Sequence, residues 1–353
     1  MFFGTVEKPP RLSEFVMEVP EERIAQNPSK KRDACKLMVL HKDEERIEHR
    51  KFSDIADYFK KGDVIVLNNT KVYPARLFAI KDHTDATVEV FLLRELENNL
   101  WEAMVKPARK VRIGNKLVFT KKIYCDVIDN TISGGRVVRF EYEEGNSIHE
   151  IIEKIGTPPL PPYIKRPIEY RDKQRYQTVF AEKRGSVAAP TAGLHFTNRL
   201  LQKLENKGVK IGFITLHIGV GTFRPVQVED LNRHQMDSEY FEVSPATALA
   251  INEAKKKRRR VIVVGTSTAR ALETVVVSGF QVTPKRGWTD KFIYPPYKFK
   301  MADGLVTNFH MPKSTLMMMS SAFAGHEVIL KAYREAKKHN YRFLSYGDAM
   351  LIV

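Results

Sequence analysis

The sequence predicts an α/β domain that is interrupted by a small β domain, and two changes of texture along the chain support this. From Asp63 to Phe140 the chain is a succession of short β-type runs separated by turn-rich pieces such as KDHTDA and RIGN. Short strands at this spacing, without helical periodicity between them, indicate a small antiparallel sandwich or barrel. Beyond Ser147, helical and strand patterns alternate, which is typical of an α/β domain.

The N-terminal segment belongs with the α/β part of the chain. It carries a hairpin-like run, DACKLMVLHKDEERIEHRKF, followed by the helical pattern SDIADYFKKG. We therefore predict that residues 1–70 and 152–353 form one discontinuous α/β domain and that residues 71–151 are inserted into it.

The elements of the C-terminal part begin and end at recognisable residues. The run TNRLLQKLENKG predicts a helix with Thr197 at its N-cap and Gly208 as its stop, and SPATALAINEAKKK predicts a helix with Ser244 at the N-cap and Pro245 behind it. The apolar runs VKIGFITLHIG (209–219) and VIVVGT (261–266) predict strands, and the second leads directly into the helical pattern STARALETVVVSG.

Composition limits the class of protein. The chain has 353 residues, with 58 Lys+Arg against 42 Asp+Glu, and a formal net charge of +16. Such an excess favours a polyanionic partner, although a basic surface without a partner would look the same. Neither a disulfide framework nor a cysteine zinc site is supported, because Cys35 and Cys125 are far apart. The start lacks a signal-peptide pattern and no apolar run is long enough for a membrane span, so a cytoplasmic protein is expected.

Basic residues are concentrated in four places. They are KKKRRR (255–260), PSKKR (28–32), VKPARKVR (105–112) and residues 163–176, where the basic residues alternate with Tyr and Pro. This pattern suits contact with an RNA backbone combined with base stacking. The run 255–260 also ends a predicted helix, where cations complement the helix dipole, so it has a second explanation.

Three histidines occupy loops of similar character. VAAPTAGLHFT (187–197), LHIGVGTFRPV (216–226) and VTNFHMPKST (306–315) place them beside Gly, Thr or Pro. Each alone could be a structural residue, but together they favour a site for acid–base chemistry. Their spacing matches no short-range zinc pattern, so a metal site is not expected.

Two further stretches carry candidate groups. In VIVVGTSTARALE (261–273) a strand passes through glycine into a helix start, which favours anionic groups, although a turn capped by Ser267 or Thr268 would have the same sequence. It is neither a Walker loop nor GxGxxG. In HQMDSEYFEV (234–243), His234 and Glu239 could act as acid–base groups, or could belong to an exposed strand edge.

Several long stretches of the sequence together resemble one family. They include RIAQNPSKKRDACKLMVL, GDVIVLNNTKVYPARLF, YQTVFAEKRGSVAAPTAGLHFT, TLHIGVGTFRPV, HQMDSEYFEV, VIVVGTSTARALE, FIYPPYKFK, LVTNFHMPKSTLMMMSSAFAG and YRFLSYGDAMLI. The sequence is similar to the S-adenosylmethionine:tRNA ribosyltransferase-isomerases of queuosine biosynthesis, from about Arg11 to Leu351 and most weakly through the β-rich insert. It departs from the family pattern at Asp237, where relatives carry histidine, and at QVTPKRGWTD (281–290).

The resemblance implies a fold and a reaction. The fold is an α/β-barrel-like main domain with an inserted six-stranded antiparallel β-barrel. The reaction transfers and isomerises the ribosyl group of S-adenosylmethionine onto 7-aminomethyl-7-deazaguanine at the wobble position of tRNA, giving epoxyqueuosine-tRNA, adenine and methionine. It implies no metal and no cofactor beyond S-adenosylmethionine as the donor substrate; the modified tRNA is the partner, no membrane is involved, and a monomer is expected.

The chemistry that the resemblance implies gives the candidate residues their roles. A sulfonium acidifies the neighbouring C–H, so a base is needed, and several proton transfers suit imidazoles that titrate near neutrality. Which histidine is the base stays open. The residues expected to be catalytic are His195, His217, His310 and Glu239. The residues expected to hold S-adenosylmethionine are Thr191, Gly193, Gly219, Gly221, Thr222, Thr266, Arg270 and Asn308, with Gly193 allowing close approach of the backbone.

Two other functions remain compatible with parts of the sequence. A non-catalytic RNA-binding protein with the same fold would need only the basic clusters and the β insert, and it would have no use for three loop histidines. A nucleotide-dependent α/β transferase acting on small molecules is the third possibility. The net charge of +16 argues against it, because a small substrate requires no such field.

Overall fold

A computed structural model describes residues 10–353 except 133, 144 and 146. The first nine residues of the predicted main domain therefore lie outside the described residues.

The strands fall into one large sheet, one closed barrel and two small pairs. In chain order they are β1 (Lys36–His41), β2 (Arg46–Lys51), β3 (Val64–Asn68), β4 (Thr70–Val72), β5 (Arg76–Lys81), β6 (Thr87–Glu97), β7 (Leu100–Lys106), β8 (Lys116–Thr120), β9 (Ile123–Asn130), β10 (Arg136–Tyr142), β11 (Lys183–Ser186), β12 (Lys210–Leu216), β13 (Glu239–Val243), β14 (Val261–Val264), β15 (Val276–Val277), β16 (Gln281–Val282), β17 (Lys285–Thr289), β18 (Gly304–Asn308) and β19 (Ala349–Ile352).

The helices accompany mainly the large sheet. The α-helices are α1 (Ile148–Ile155), α2 (Tyr170–Arg175), α3 (Asn198–Asn206), α4 (Pro245–Lys256), α5 (Thr266–Val275), α6 (Thr315–Ala324) and α7 (His326–Lys338). Short 3-10 segments cover Leu12–Phe15, Glu21–Arg23, Arg32–Ala34, Phe52–Tyr58, Ala108–Lys110, Thr191–His195, Val220–Phe223 and Leu231–Arg233.

The large sheet is mixed and has nine strands in the order β17-β13-β12-β3-β14-β18-β19-β1-β2. The four central strands β12, β3, β14 and β18 are parallel, and they read as continuous apolar runs because both faces are covered. One face packs against α4, α5, α6 and α7. The other packs against α3 and the segment Phe52–Tyr58.

The insert is a closed antiparallel barrel of six strands in the order β10-β7-β6-β5-β8-β9. Its inward residues alternate with exposed ones, as in β7, where Trp101, Ala103 and Val105 are buried. The predicted fold class is α/β, with an α/β-barrel-like main domain and an inserted antiparallel β-barrel. It is confirmed as an α/β main domain with a six-stranded barrel insert, and the sheet of the main domain is a nine-stranded mixed sheet. The barrel strands run from Arg76 to Tyr142. Helix α1 crosses the proposed boundary at 151/152, and the division into domains stays a prediction.

The predicted N-caps Thr197 and Ser244 are confirmed, and Ser147, which was not predicted as a cap, acts in the same way. The side chains of Ser147, Thr197 and Ser244 accept the backbone N–H three residues ahead at the starts of α1, α3 and α4. Helix α5 does not start with the cap by Ser267 or Thr268 that the sequence left open. Gly265 takes its N-cap position with φ +87°, and neither Ser267 nor Thr268 caps it.

The densest basic run lies at the amino ends of the central strands. Lys255 forms an ion pair with Asp303 at 2.7 Å, directly before β18, and Arg260 forms one with Asp63 at 2.6 Å, directly before β3. Part of the charge in KKKRRR is therefore neutralised within the fold. In the described part of the chain, no helix is both long and apolar enough to cross a membrane.

Candidate active site

Polar loops converge at the carboxyl edge of the large sheet. The parallel strands β3, β12, β14 and β18 all end there, and the antiparallel strand β13 begins there with Glu239. Ligands of open α/β sheets bind at this edge, because the loops that follow the strands are free to vary there while the sheet holds them in place. The three histidine loops of the sequence all lie at this edge or beside it.

The first cavity has a volume of about 320 Å³ and lies at this edge. Its wall is mainly apolar, with Ile218, Ile293 and Met319 among its members. It contains eight of the twelve residues predicted for the site: Thr191, Gly221, Thr222, Glu239, Thr266, Arg270, Asn308 and His310.

The second cavity has a volume of about 940 Å³ and lies between the barrel and the large sheet. Two further predicted residues, His217 and Gly219, line this cavity instead of the first one. The two cavities share part of one wall. The shared residues are Ile218, Arg224, Asp237 and Glu239.

Glu239 is the charged group at the centre of that shared wall. Its Oε1 accepts the backbone N–H of Gly219 at 2.7 Å, and its Oε2 forms an ion pair with Arg270. Arg270 also donates to the carbonyl oxygens of Lys291 at 3.0 Å and Thr289 at 3.3 Å. Burial raises the pKa of Glu239, and the guanidinium of Arg270 opposes that rise. A carboxylate held in this way keeps further lone pairs for a proton.

His310 is buried and faces the first cavity. Its Nε2 lies 2.6 Å from the Thr307 hydroxyl, and its backbone N–H donates to the hydroxyl of Tyr333 at 2.7 Å. Burial lowers the pKa of His310 to about 3, so the ring is neutral at neutral pH.

His195 lies beside the first cavity but does not line it. Its Nδ1 is 3.1 Å from the Cys35 Sγ and its Nε2 is 3.2 Å from the Asn308 Nδ2, which also donates to the Leu344 carbonyl at 3.1 Å. Because a carbonyl can only accept, the amide nitrogen of Asn308 must face Leu344, and the Nε2 of His195 is therefore an acceptor. Burial lowers the pKa of His195 to about 3.

The Leu344 carbonyl fixes the orientation of the Asn308 amide, and the ring of His195 accepts from the same amide nitrogen. Asn308 is 1 % exposed and lines the first cavity. Its nitrogen edge is used by His195 and Leu344, whereas its Oδ1 has no hydrogen-bond partner among the described residues. A buried acceptor without a donor is unfavourable, so this atom is a candidate contact for a ligand N–H or O–H.

His217 follows β12 directly and faces the second cavity. Its Nδ1 lies 2.8 Å from the Thr70 hydroxyl, and its ring stacks on Tyr240 with 5.6 Å between the centroids. Burial lowers its pKa to about 4. Gly185, with φ +149°, leaves room for this ring, because a Cβ there would come within 2.6 Å of it.

The start of α5 forms another part of the first cavity. Gly265 turns the chain from β14 into α5 with a positive φ, and Thr266 and Ser267 follow it in the cavity wall. Asn68 at the end of β3 donates to the Ser267 hydroxyl at 3.1 Å and thereby fixes its position. No side chain caps this helix, so its first N–H groups are available to a ligand.

The glycines predicted to approach a ligand have different surroundings. A Cβ on Gly193 would meet Phe180 and Thr178 at 3.0 Å, so packing accounts for the missing side chain, and Gly193 does not line either cavity. A Cβ on Gly221 would come within 2.3 Å of the Asp237 carboxylate, so glycine here allows that carboxylate to reach the shared wall.

The comparisons with known proteins agree with the resemblance seen in the sequence. The family of queuosine biosynthesis proteins matches residues 12–352. The chain belongs to this family.

Individual members of the queuosine biosynthesis family are similar to the chain over almost its whole length. The S-adenosylmethionine:tRNA ribosyltransferase-isomerases of Cytophaga hutchinsonii and Chloroherpeton thalassium are both 53 % identical to it, over 97 % of this chain and 100 % and 99 % of theirs. The crystal structure of the S-adenosylmethionine tRNA ribosyltransferase of Thermotoga maritima is 37 % identical, with a TM-score of 0.56 over 96 % of this chain and all of that one. The chain is therefore an enzyme, a transferase of tRNA modification in queuosine biosynthesis.

Asp237 and one residue of the segment 281–290, the two places where a departure from the family pattern is expected, line the second cavity. Asp237 lines the shared wall, 3.6 Å from Arg224. Residues Lys285–Thr289 of the unusual segment form β17, and its Trp288 lines the second cavity. A stretch that departs from the family pattern thus supplies an exposed aromatic side chain to the second cavity.

The sequence did not indicate three residues that the structure brings to the site: Trp101 and His149 from the insert and Asn68 from β3. Trp101 and His149 come from short alternating strands and a helix without motifs, so only the folded barrel shows where they face. Asn68 stands in the quoted motif GDVIVLNNTKVYPARLF, and its position at the end of a buried strand was a usable signal.

A metal does not connect the three predicted histidines, because each has a different set of partners. In the ranges that the structure describes, the group with metal-ligand spacing is His49, Glu335 and His339, whose ligand atoms lie within 4.8 Å of one another. This group does not line the first or the second cavity. The expectation that the reaction needs no metal stays a prediction.

Proposed function

We propose that this enzyme transfers and isomerises the ribosyl group of S-adenosylmethionine onto 7-aminomethyl-7-deazaguanine at the wobble position of tRNA. The products are epoxyqueuosine-tRNA, adenine and methionine. The names of its relatives support the donor and the RNA, and the sequence resemblance supports the acceptor base and the products. We further propose that it acts as a cytoplasmic monomer without a metal.

The observation that carries this proposal is the pair of adjoining cavities with Glu239 in their common wall. A reaction between a small molecule and a base of a large RNA needs two binding volumes that meet at the reacting atoms. The first cavity is mainly apolar and suits the adenosyl and methionyl parts of S-adenosylmethionine. The second is larger and lies between the two structural units.

The chemistry requires a sequence of proton transfers. A base removes a proton from the 5′ carbon next to the sulfonium, and the ylide that forms must be shielded from water. The aminomethyl nitrogen forms its bond to the ribosyl carbon as a neutral amine and loses a proton. Adenine leaves as it gains a proton, and the epoxide closes as the C–S bond to methionine breaks.

We assign the main proton carrier to Glu239. Burial raises its pKa, which makes it a stronger base than an ordinary carboxylate, and it lies where the two substrates would meet. Arg270 holds it in place and balances its charge. His310, neutral in the wall of the first cavity, supplies a hydrogen bond to the departing adenine or to the ribose.

The other predicted residues hold groups in position. His195 and the Leu344 carbonyl together hold the amide of Asn308, whose Oδ1 accepts a donor of the nucleoside. The start of α5, with Thr266, binds the methionine carboxylate, because a helix start stabilises negative charge. The near-neutral titration expected from unperturbed histidines is wrong for the folded protein, because burial lowers the pKa of His195, His217 and His310.

The test is release of adenine. Purified protein is incubated with S-adenosylmethionine and with tRNA that carries, or lacks, the aminomethyl-deazaguanine base, and adenine is measured by chromatography. We expect adenine only with the modified tRNA, together with a matching gain in RNA mass. Tight binding of the modified tRNA without release of adenine would contradict the proposal and leave the RNA-binding alternative. Sizing in solution and metal analysis of the active sample test the monomer and the absence of a metal.

A further inference from the structure

The second cavity contains both tryptophans of the chain. The sequence has two, Trp101 and Trp288, and both line this cavity. Trp101, on barrel strand β7, is 4 % exposed, and its Nε1 has no hydrogen-bond partner among the described residues. A buried indole N–H normally finds an acceptor, so an unpaired one that lines a cavity points to a ligand that brings the acceptor.

Aromatic side chains face the second cavity from both structural units. On the barrel side, Trp101 contacts Tyr73 edge-on with ring centroids 5.7 Å apart, and it contacts His149 at 6.1 Å. On the side of the large sheet, Tyr240 contacts Trp288, with the ring centroids 5.8 Å apart. Trp288 is 56 % exposed although it is a large apolar residue. Exposed aromatic rings beside a cavity are the usual platforms on which unpaired bases stack.

The charges of this cavity suit a base better than a phosphate. Its three arginines are each paired with a carboxylate: Arg94 with Glu102 at 2.8 Å, Arg184 with Glu153 at 3.3 Å and Arg224 with Asp237 at 3.6 Å. Glu95 contacts only His149 among the ion pairs of the described residues, at 3.3 Å, and Glu239 adds a further carboxylate. Carboxylates accept from the N–H groups of a guanine-type edge and from those of an aminomethyl group.

We propose that the second cavity binds the aminomethyl-deazaguanine of the tRNA as a base turned out of its stack. Trp288 provides the stacking surface, the Nε1–H of Trp101 donates to an acceptor atom of the base, and the wall carboxylates accept from its N–H groups. The aminomethyl group then reaches the shared wall at Glu239. This inference rests on the proposed function, because it takes the acceptor base from there, and it adds where and how that base is held.

Tryptophan fluorescence tests the proposal directly, because no tryptophan lies elsewhere in the chain. The probes are tRNA with the aminomethyl base, the same tRNA without it, and S-adenosylmethionine alone. We expect quenching and a spectral shift with the modified tRNA, a weaker response with unmodified tRNA, and almost none with S-adenosylmethionine. The single-tryptophan variants Trp101→Phe and Trp288→Phe should both still respond.

Steady-state kinetics test the two contacts separately. Trp288→Ala should raise the KM for tRNA about tenfold or more, as expected for loss of one stacked base, and should leave the KM for S-adenosylmethionine unchanged. Trp101→Phe keeps the ring and removes the N–H, and it should raise the KM for tRNA about two- to tenfold. Phe280→Ala, an exposed aromatic residue that does not line the second cavity, is the matched control and should change neither constant.

The outcomes separate this inference from the proposed function. If the wild-type enzyme releases adenine with modified tRNA but neither its fluorescence nor the KM for tRNA of Trp288→Ala changes, the base binds elsewhere and the inference is overturned. If the wild-type enzyme releases no adenine at all, the proposed function itself fails. Equal quenching by modified and unmodified tRNA would also overturn the inference, because it would mean that the cavity binds RNA without recognising the base.

Discussion

The two cavities differ in where their walls come from. The first cavity is built from loops at the carboxyl edge of the large sheet, and its polar groups belong to stretches that stand out in the sequence, such as the loop with His310 and the start of α5. The second is built partly from the barrel, whose strands carry no motif, and its aromatic residues come from both structural units. The comparison teaches that a motif marks the part of a site that one sheet edge assembles.

The two cavities should also differ in the substrate that each one binds. Changes in the first cavity should alter the use of S-adenosylmethionine, and changes in the second should alter the use of tRNA. Only changes in the shared wall should alter the use of both substrates. The following predictions test this division, from the largest expected effect to the smallest.

Glu239→Gln should have the largest effect, because it removes the shared proton carrier. We expect kcat, measured with both substrates saturating, to fall by about 10²- to 10⁴-fold. The change also leaves the buried charge of Arg270 without its partner, which should lower the free energy of unfolding by about 3–5 kcal/mol. The measurements are single-turnover adenine release and urea unfolding.

Glu242→Gln is the matched control for this variant. Glu242 lies on the same strand, β13, but does not line either of the two cavities. Its kcat should stay within about twofold of the wild-type value, because a surface substitution away from the site normally has little effect. If both variants lost activity equally, strand β13 would matter as structure and the assignment of Glu239 would be wrong.

His195→Leu should act only on the first cavity. Without the imidazole acceptor, one N–H of Asn308 is left unpaired and only the Leu344 carbonyl still holds the amide, so we expect the KM for S-adenosylmethionine to rise about tenfold. His195→Gln offers a carbonyl acceptor in its place and should restore most of the affinity. If His195→Gln lost kcat as completely as His195→Leu, the imidazole would be transferring protons instead of positioning Asn308.

The buried histidines should also make the fold sensitive to acid. The unfolded chain protonates each imidazole below about pH 6.5, whereas the pKa of His195 and of His310 in the fold is about 3. Their contribution to stability is therefore complete above pH 6.5 and is lost as the pH falls from 6.5 toward 3. Each histidine should lower the free energy of unfolding by up to about 1.4 kcal/mol per pH unit in that range.

Urea unfolding at pH 7 and pH 5 measures this dependence. The His195→Gln variant has no titrating group at this position, so its stability should fall less between the two pH values than that of the wild type. If the variant lost as much stability between pH 7 and pH 5 as the wild type, His195 would take up its proton in the folded protein as readily as in the unfolded chain.

The smallest effect is expected from the densest basic run. Lys256 and Lys257 are exposed at the amino-end side of the large sheet, whereas both cavities lie at its other edge or beside the barrel. Changing both to Gln should alter the KM for tRNA by less than about twofold. The free energy of unfolding should fall by about 0.3–1 kcal/mol, because two cations that stabilise the carboxyl end of α4 are lost. A large rise in the KM for tRNA would show that the RNA extends around the sheet.

The sequence was sufficient for the fold class and for most of the first cavity. Alternating helix and strand patterns predicted the main domain. The family resemblance supplied Thr266 and Asn308, which lie at the ends of buried strands, where ligands of such sheets bind. Three things could not be read from the sequence. The first is the burial that lowers the histidine pKa values, the second is the contact of Cys35 with His195, and the third is the inward direction of Trp101 in the barrel. All three are properties of the packed fold.

The way in which the barrel is attached has a consequence for how this enzyme could change. Strands β4 and β11 pair beside the point where the chain enters the insert, and both touch the site: Thr70 of β4 contacts His217, and the Ser186 hydroxyl of β11 accepts the N–H of Ile218 at 2.8 Å. The insert therefore joins the rest of the chain directly beside the site. A shortened chain without the barrel would keep the loops of the first cavity and lose the wall of the second cavity that carries Trp101, so the second cavity exists only where both units are present.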